Sequence, residues 1–191
     1  KDIARHVFIP FAVGGGIRNL DDMRAVLLAG AEKVSINSLA VLHPEIIAEG
    51  AKAFGNQCIV LGMDAKFVGV SEKIPSGYKV YIQGGRRAMG IDAVQWAIQA
   101  QELGVGEICL NSIDADGTKE GYELTITDLI AKAVQVPVIA SGGAGVPEHI
   151  STLFSKTSAD AALVASMVHF GDYTVQGIKS AMRDAGIAVR K

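Results

Sequence analysis

An internal repeat constrains this chain more than any other feature of its sequence. The segment Pro10-Phe-Ala-Val-Gly-Gly-Gly-Ile returns 127 residues later as Pro137-Val-Ile-Ala-Ser-Gly-Gly-Ala. The two copies close on Ser38 and Ser166, which lie 128 residues apart. One offset holds four strand–helix units of about 32 residues each, so two copies make eight units, the number in a (β/α)8 barrel.

Short apolar runs alternate with amphipathic stretches along the whole chain, and this alternation is typical of βαβ units around a parallel sheet. The predicted strands are Val7–Val13, Lys33–Ile36, Cys58–Met63, Glu107–Asn111, Val136–Ser141 and Ala161–Ala165. The sequence contains six strand–helix units. Two more units would need roughly 64 preceding residues, which gives about 255 residues in all, close to the typical barrel length of about 250. We therefore expect an α/β fold and a single domain over residues 1–191 that forms a six-unit portion of a (β/α)8 TIM barrel. The alternative is an open, doubly wound sheet of six strands.

Residues 66–83 interrupt this rhythm. Two polar, alternating segments, Phe67–Lys73 and Tyr78–Gln83, flank Pro75-Ser76-Gly77. The pattern predicts a β-hairpin that leaves the barrel and lies over one end of the sheet.

Composition excludes several classes of protein. The net charge is −2, from 18 basic and 20 acidic residues, so nucleic acid is not an expected partner. No apolar run is long enough to span a membrane. Without a secretory leader in the printed sequence, we expect a cytoplasmic protein with Cys58 and Cys109 as free thiols.

The repeat itself points to a binding site. Active sites of barrel enzymes lie at the carboxyl ends of the strands, where each copy has glycines after one strand and a serine after the next. These positions are Gly15, Gly16, Asn37 and Ser38 in the first copy, and Gly142, Gly143, Ala165 and Ser166 in the second. Glycines let backbone N–H groups approach an anion, which predicts two phosphate sites for an elongated ligand. Tight strand-to-helix turns are the alternative explanation of the glycines.

Asp64 is the candidate catalytic residue, because it ends a buried apolar strand at the catalytic face, where a carboxylate can act as a general acid or base. A structural cap is the alternative. Its twin in the repeat would fall at about position −63, before the printed sequence. Asp114, Asp116 and Gly117 follow another strand end and are candidates for polar substrate contacts, although an ordinary turn explains them equally well. No histidine or cysteine lies near these carboxylates to favour a metal site, and the four histidines are interpreted as structural.

The chain resembles the cyclase subunit of imidazole glycerol phosphate synthase, an enzyme of histidine biosynthesis, over nearly its whole length. The motifs are Pro10-Phe-Ala-Val-Gly-Gly-Gly-Ile-Arg18, Lys33-Val-Ser-Ile-Asn-Ser38, Met63-Asp-Ala-Lys66, Ser112-Ile-Asp-Ala-Asp-Gly-Thr-Lys-Glu-Gly-Tyr122, Ile139-Ala-Ser-Gly-Gly-Ala-Gly145 and Ala165-Ser-Met-Val-His-Phe170. The resemblance implies a barrel that uses ammonia to convert a phosphoribulosyl-formimino-aminoimidazole carboxamide ribonucleotide into imidazole glycerol phosphate and an aminoimidazole carboxamide ribonucleotide. It also implies a glutaminase partner that supplies the ammonia, and no cofactor.

The same resemblance assigns roles to individual residues. Asp64 matches one of two catalytic aspartates, and the remaining matches form four groups. The residues that match one phosphate site are Gly15, Gly16, Asn37 and Ser38, and those that match the other are Gly117, Gly142, Gly143, Ala165 and Ser166. The polar wall between the two sites matches Asn111, Asp114 and Asp116. On the amino-terminal face, Lys33 and Glu107 match half of an ammonia gate, and Gln57 lies on the docking surface. The family's first two units and the other aspartate are absent from the printed sequence, so we expect these 191 residues to be inactive alone.

Two rival functions stay open at this stage. The sister isomerase of the same pathway shares the duplication and a biphosphate substrate, but tends to Gly-Pro-Asn where this chain has Gly121-Tyr122-Glu123. A non-catalytic phosphate-binding barrel is the other rival.

Overall fold

The computed structural model describes residues 3–190. The strands are β1 (Ala12–Gly14), β2 (Lys33–Ile36), β3 (Ile59–Phe67), β4 (Tyr78–Ile82), β5 (Arg87–Asp92), β6 (Glu107–Ser112), β7 (Val138–Ser141) and β8 (Ala161–Ala162). The α-helices are α1 (Leu20–Leu28), α2 (Ser38–Leu42), α3 (Glu45–Phe54), α4 (Ala93–Leu103), α5 (Leu124–Ala133), α6 (Pro147–Lys156), α7 (Ser166–His169) and α8 (Val175–Asp184). Short 3-10 turns cover Ile3–Arg5 and Asn56–Cys58.

Six strands form a parallel sheet in the order β1-β2-β3-β6-β7-β8. Each of these strands lies beside the next parallel strand of the chain, with no reversal of the kind that defines a doubly wound sheet. The winding is that of a TIM-barrel-type α/β fold, as the repeat predicts. Within residues 3–190, β1 pairs only with β2 and β8 only with β7. The expectation of two further units concerns sequence outside this range and stays a prediction.

The ends of the sheet are shorter than predicted. The expected strand Val7–Val13 begins only at Ala12, because Pro10 has no N–H to donate to a neighbour and residues 8–9 lie exposed. The expected strand Ala161–Ala165 pairs only at its first two residues. The central strands β2, β3, β6 and β7 match their predicted positions within a few residues.

The excursion after the third strand differs from its prediction. The predicted strand Phe67–Lys73 is wrong: β3 itself continues to Phe67 and pairs with β4 from Asp64↔Tyr81 to Phe67↔Tyr78. Residues 68–77 form a loop closed by a hydrogen bond from the Val68 N–H to the Gly77 carbonyl, 2.8 Å. β4 then pairs with β5, so the excursion is a three-stranded antiparallel extension of the sheet.

The main hydrophobic core lies between the sheet and its helices. Trp96 of α4 is almost fully buried, together with Ile108 and Leu110 of β6. α4 begins at Ala93, where the Asp92 carboxylate accepts from the Val94 and Gln95 N–H groups. Ile91, just before this helix, lies in β5. Among the described helices, none has the length and apolar character needed to cross a membrane.

Candidate active site

The two halves of the repeat adopt the same backbone conformation at the carboxyl ends of their strands. Gly15 and Gly16 have φ of 85° and 74°, and Gly142 and Gly143 have 92° and 102°. Asn37 (φ −124°, ψ −82°) and Ala165 (φ −125°, ψ −81°) coincide just before α2 and α7. The predicted duplication is therefore a duplication of three-dimensional structure.

Gly143 is required by its surroundings as well as by its φ. A Cβ on this residue would lie 1.9 Å from the Gly121 carbonyl oxygen. The backbones are joined there by a hydrogen bond of 2.8 Å from the Gly121 N–H to the Gly143 carbonyl. The loop after β6 is thereby fastened on top of the second glycine turn.

Two cavities open at these strand ends. The first has a volume of about 300 Å³ and the second about 250 Å³. The first is lined by Gly15, Gly16, Ile17, Ser35, Ile36, Asn37, Ser38, Leu39, Asp64 and Gly84. The second is lined by Asn111, Asp116, Gly117, Lys119, Ser141, Gly142, Gly143, Ala144, Leu163, Ala165 and Ser166.

Asp64 lines the first cavity and is joined by a hydrogen bond to Asn111, which lines the second. Its Oδ2 accepts from Asn37 Nδ2 at 3.0 Å, and its Oδ1 accepts from Asn111 Nδ2 at 3.2 Å. Asn111 Oδ1 in turn accepts from Ser141 Oγ at 3.3 Å. This network crosses four adjacent strands. Because the amides are neutral, they orient the carboxylate without neutralising its charge, and they leave some of its lone pairs for another donor.

The structure brings most of the predicted site residues together. Asp114 is the exception among the residues predicted for this rim: it lines neither of the cavities just described, and its Oδ2 accepts from the Phe67 N–H at 2.7 Å. The contact ties the loop after β6 to the end of β3. Asp116, two residues later, lines the second cavity.

Several cavity residues escaped the sequence analysis. Lys119 lies inside a recognised motif but was not selected, and Ser141 precedes the predicted glycines directly. Gly84 belongs to the β4–β5 turn, where the Gln83 N–H donates to Ser38 Oγ at 3.0 Å. The pair Gly84-Gly85 after a predicted strand was the available signal.

The amino ends of the strands carry a different arrangement. Lys33 opens β2, Glu107 opens β6, and their side chains form a salt bridge across the intervening β3. Gln57 lies exposed at the same end, in the turn before β3. Between the two ends, burial raises the pKa of the Cys109 thiol, and the negative charges of Glu107 and Asp64 add to this rise. Cys109 and Cys58 are both free thiols.

Two buried phenols support the carboxyl-terminal rim. The Tyr122 hydroxyl donates to the Leu163 carbonyl at 2.8 Å, and burial raises the pKa of Tyr122 to about 12. The Tyr78 hydroxyl donates to Glu123 Oε1 at 3.0 Å. Burial, followed by the Glu123 charge, raises the pKa of Tyr78 to about 12. Within residues 3–190 no group of three or more His, Cys, Asp or Glu side chains is placed to hold a metal ion.

Fold and site together define a TIM-barrel-type α/β protein with a duplicated, glycine-rich rim beside Asp64. A family described as "Histidine biosynthesis protein" matches residues 1–174. Imidazole glycerol phosphate synthase subunit HisF of Syntrophobacter fumaroxidans is 62% identical over 191 residues, which are 100% of this chain and 74% of the relative. The protein of the same name from Desulforapulum autotrophicum is also 62% identical, with the same coverage.

A third relative of this name, from Desulfovibrio desulfuricans, is 57% identical over 188 residues, 98% of this chain and 73% of the relative. The chain belongs to the histidine biosynthesis protein family and, within it, to the HisF subunits of imidazole glycerol phosphate synthase. The names of these relatives favour the cyclase subunit over the sister isomerase.

Proposed function

We propose that this protein is the cyclase of imidazole glycerol phosphate synthase. It uses ammonia to convert the phosphoribulosyl-formimino-aminoimidazole carboxamide ribonucleotide into imidazole glycerol phosphate and the aminoimidazole carboxamide ribonucleotide. The observation that carries the proposal is the position of Asp64, an oriented carboxylate that lines the first cavity and accepts a hydrogen bond from Asn111 of the second.

Asp64 is the general acid or base of the reaction. Ring closure with ammonia removes protons from the incoming nitrogen and delivers protons to departing groups. The Asn37 and Asn111 amides hold both carboxylate oxygens, which fixes the direction of proton transfer.

The two cavities receive the two phosphates of the substrate. Gly15 and Gly16 border the first and Gly142 and Gly143 the second, and all four have left-handed backbone that admits no ordinary side chain without strain. Ser38 and Ser166 add a hydroxyl to each cavity. An elongated ligand held at both ends places its middle over Asp64.

Ammonia enters from the opposite end of the sheet. Lys33 and Glu107 form part of the gate, and the glutaminase subunit docks on this face, where Gln57 is exposed. The half-buried salt bridge limits the passage of water and ions at the amino ends of the strands. The partners are thus a glutaminase and a small biphosphate substrate, without nucleic acid or membrane. We place the protein in the cytoplasm, and it needs no cofactor.

Asp64→Asn tests the proposal most directly, because it keeps the shape of the side chain and removes its basicity. In the full-length protein, ammonia-dependent turnover falls about 10²- to 10⁴-fold, the range of a lost general acid or base, while KM changes little. Asp128→Asn, on the outer surface of α5, is the matched control and keeps normal turnover. Undiminished turnover of Asp64→Asn would overturn the mechanism and favour a non-catalytic phosphate-binding barrel.

A further inference from the structure

The two cavities share a backbone but differ in charge. Among the described residues that line the first cavity, none is a lysine, arginine or histidine. The second cavity is lined by one cation, Lys119, and by one acidic residue, Asp116. An anion in the second cavity therefore meets a negative charge that Lys119 is placed to offset.

The backbone holds Lys119 firmly at this position. Its φ of 60° lies in the left-handed region, an unfavourable conformation for a lysine. Gly145 passes so close that a Cβ there would lie 2.3 Å from the Lys119 carbonyl oxygen. On the two sides, Thr118 Oγ1 donates to the Ala115 carbonyl at 2.8 Å, and the Gly121 N–H donates to the Gly143 carbonyl. The loop that presents Lys119 is thus fastened to the second glycine turn.

The Lys119 ammonium has one neighbour that competes with an incoming anion. Its Nζ lies 3.8 Å from Asp172 Oδ2, and the two side chains are 54% and 50% exposed. An exposed ion pair at this distance contributes little free energy in water. A phosphate with two negative charges and three acceptor oxygens is a stronger partner for an ammonium than one carboxylate.

We propose that Lys119 makes the second cavity the tighter and more salt-sensitive of the two phosphate sites, and that Asp172 weakens it by competing for the Lys119 ammonium. This inference rests on the proposed function for the two phosphates and adds an inequality between them. The first cavity holds the Asp64 carboxylate and, among the described residues, no cation. An anion there depends on backbone N–H groups and hydroxyls, so its binding gains less from a low ionic strength.

The test measures inorganic phosphate binding at each cavity separately. Backbone amide NMR signals of Gly16 and Gly143 in the full-length protein report the first and second cavity during a phosphate titration. In Lys119→Gln, the apparent Kd at Gly143 rises about five- to tenfold, the scale of a charge-assisted contact that solvent partly screens. In Asp172→Asn the same Kd falls about twofold, because the competing carboxylate is gone. The Kd at Gly16 stays constant in both variants.

Three further variants separate charge from structure. Lys119→Arg keeps the charge and retains binding at Gly143. Lys119→Gly suits the left-handed backbone better than lysine, yet it weakens binding as Lys119→Gln does. Lys73→Gln, in the exposed loop 68–77, is the matched control and leaves both values unchanged.

The outcomes distinguish this inference from the proposed function. Equal phosphate affinity at Gly143 in the wild type, Lys119→Gln and Lys119→Gly would overturn the inference while leaving two phosphate sites in place. Weaker binding in Asp172→Asn would also overturn it. If phosphate shifts neither the Gly16 nor the Gly143 signal in the wild type, the two-phosphate part of the proposed function fails, and this inference fails with it.

Discussion

The two ends of the parallel sheet differ in how their charged side chains are paired. At the carboxyl ends, Asp64 is held by the neutral amides of Asn37 and Asn111, and within residues 3–190 no cationic side chain pairs with it. At the amino ends, Lys33 and Glu107 neutralise one another. An oriented carboxylate without a counter-charge is suited to proton transfer, whereas a closed ion pair is suited to blocking a passage. Under the proposed function, this contrast distinguishes the reaction site at one end of the sheet from the ammonia gate at the other.

The largest expected effect is at the carboxyl end. Gly143→Ala places a methyl group 1.9 Å from the Gly121 carbonyl and forces a left-handed alanine. We expect a loss of at least about 4 kcal/mol in the free energy of unfolding, within the range of severe steric substitutions, measured by urea denaturation. Gly16→Ala is the matched control, because its Cβ meets nothing within 4 Å. It loses only about 1–2 kcal/mol from backbone strain. Equal losses in the two variants would contradict this explanation.

A catalytic effect follows for the amide beside Asp64. Asn111→Ala removes the donor to Asp64 Oδ1 and frees that oxygen to rotate. We expect kcat for ammonia-dependent turnover to fall about 10- to 100-fold through lost orientation. Asn56→Ala, at the amino end before β3, serves as the matched control with unchanged kcat. A change in KM alone would show that Asn111 binds substrate without orienting Asp64.

Alkaline pH tests how much the buried phenol of Tyr122 stabilises the carboxyl-terminal rim. Burial raises the pKa of Tyr122 from its usual 10.0 to about 12 in the folded protein, so folding favours the neutral phenol. Its contribution is fully present below pH 10, and it is lost as the pH rises from about 10 to 12, a difference of about 2 kcal/mol. Tyr122→Phe flattens the stability profile in this window, as followed by urea midpoints at successive pH values. An unchanged slope between pH 10 and 12 would exclude Tyr122 as the cause.

The smallest expected effect lies at the amino end. Glu107→Gln leaves the half-buried Lys33 ammonium without its counter-charge, at a cost of about 1 kcal/mol because solvent still reaches both groups. Turnover with free ammonia stays within about twofold of the wild type, since Asp64 is untouched. The matched control is Glu102→Gln on the exposed face of α4, with unchanged stability. A large loss of turnover with free ammonia would contradict the hypothesis that Glu107 acts in the gate and not in the reaction site.

Much of the site was predictable because it lies where strands end. Gly15 and Ser38 return as Gly142 and Ser166 at offsets of 127 and 128 residues, and Asp64 ends an apolar run. Their placement therefore follows from the repeat and from strand periodicity. Lys119 and Gly84 were missed, because a residue in a loop has no periodic pattern that reveals the direction of its side chain. Asp114 and Asp116 are two residues apart in one loop. Only the folded conformation of that loop decides that Asp114 accepts from the Phe67 N–H and that Asp116 lines the second cavity.

The segment after β3 shows the same limit of prediction from sequence. The alternation of Val68 and Val70 with Gly69 and Ser71 is typical of a strand. Residues 68–77 nevertheless form a loop, and β3 pairs directly with β4. A strand needs an adjacent strand to form its backbone hydrogen bonds, and the local sequence does not show which segment that is.

The sequence by itself determined the winding of the sheet, the duplicated rim and the position of Asp64, since these depend on hydrophobic periodicity and on glycines that repeat along the chain. Only the tertiary structure decided the amide pair that orients Asp64, the bridge from Lys33 to Glu107, and the inequality of the two cavities. Each of these joins residues far apart in the chain, and such contacts depend on distances in space that local sequence patterns do not contain.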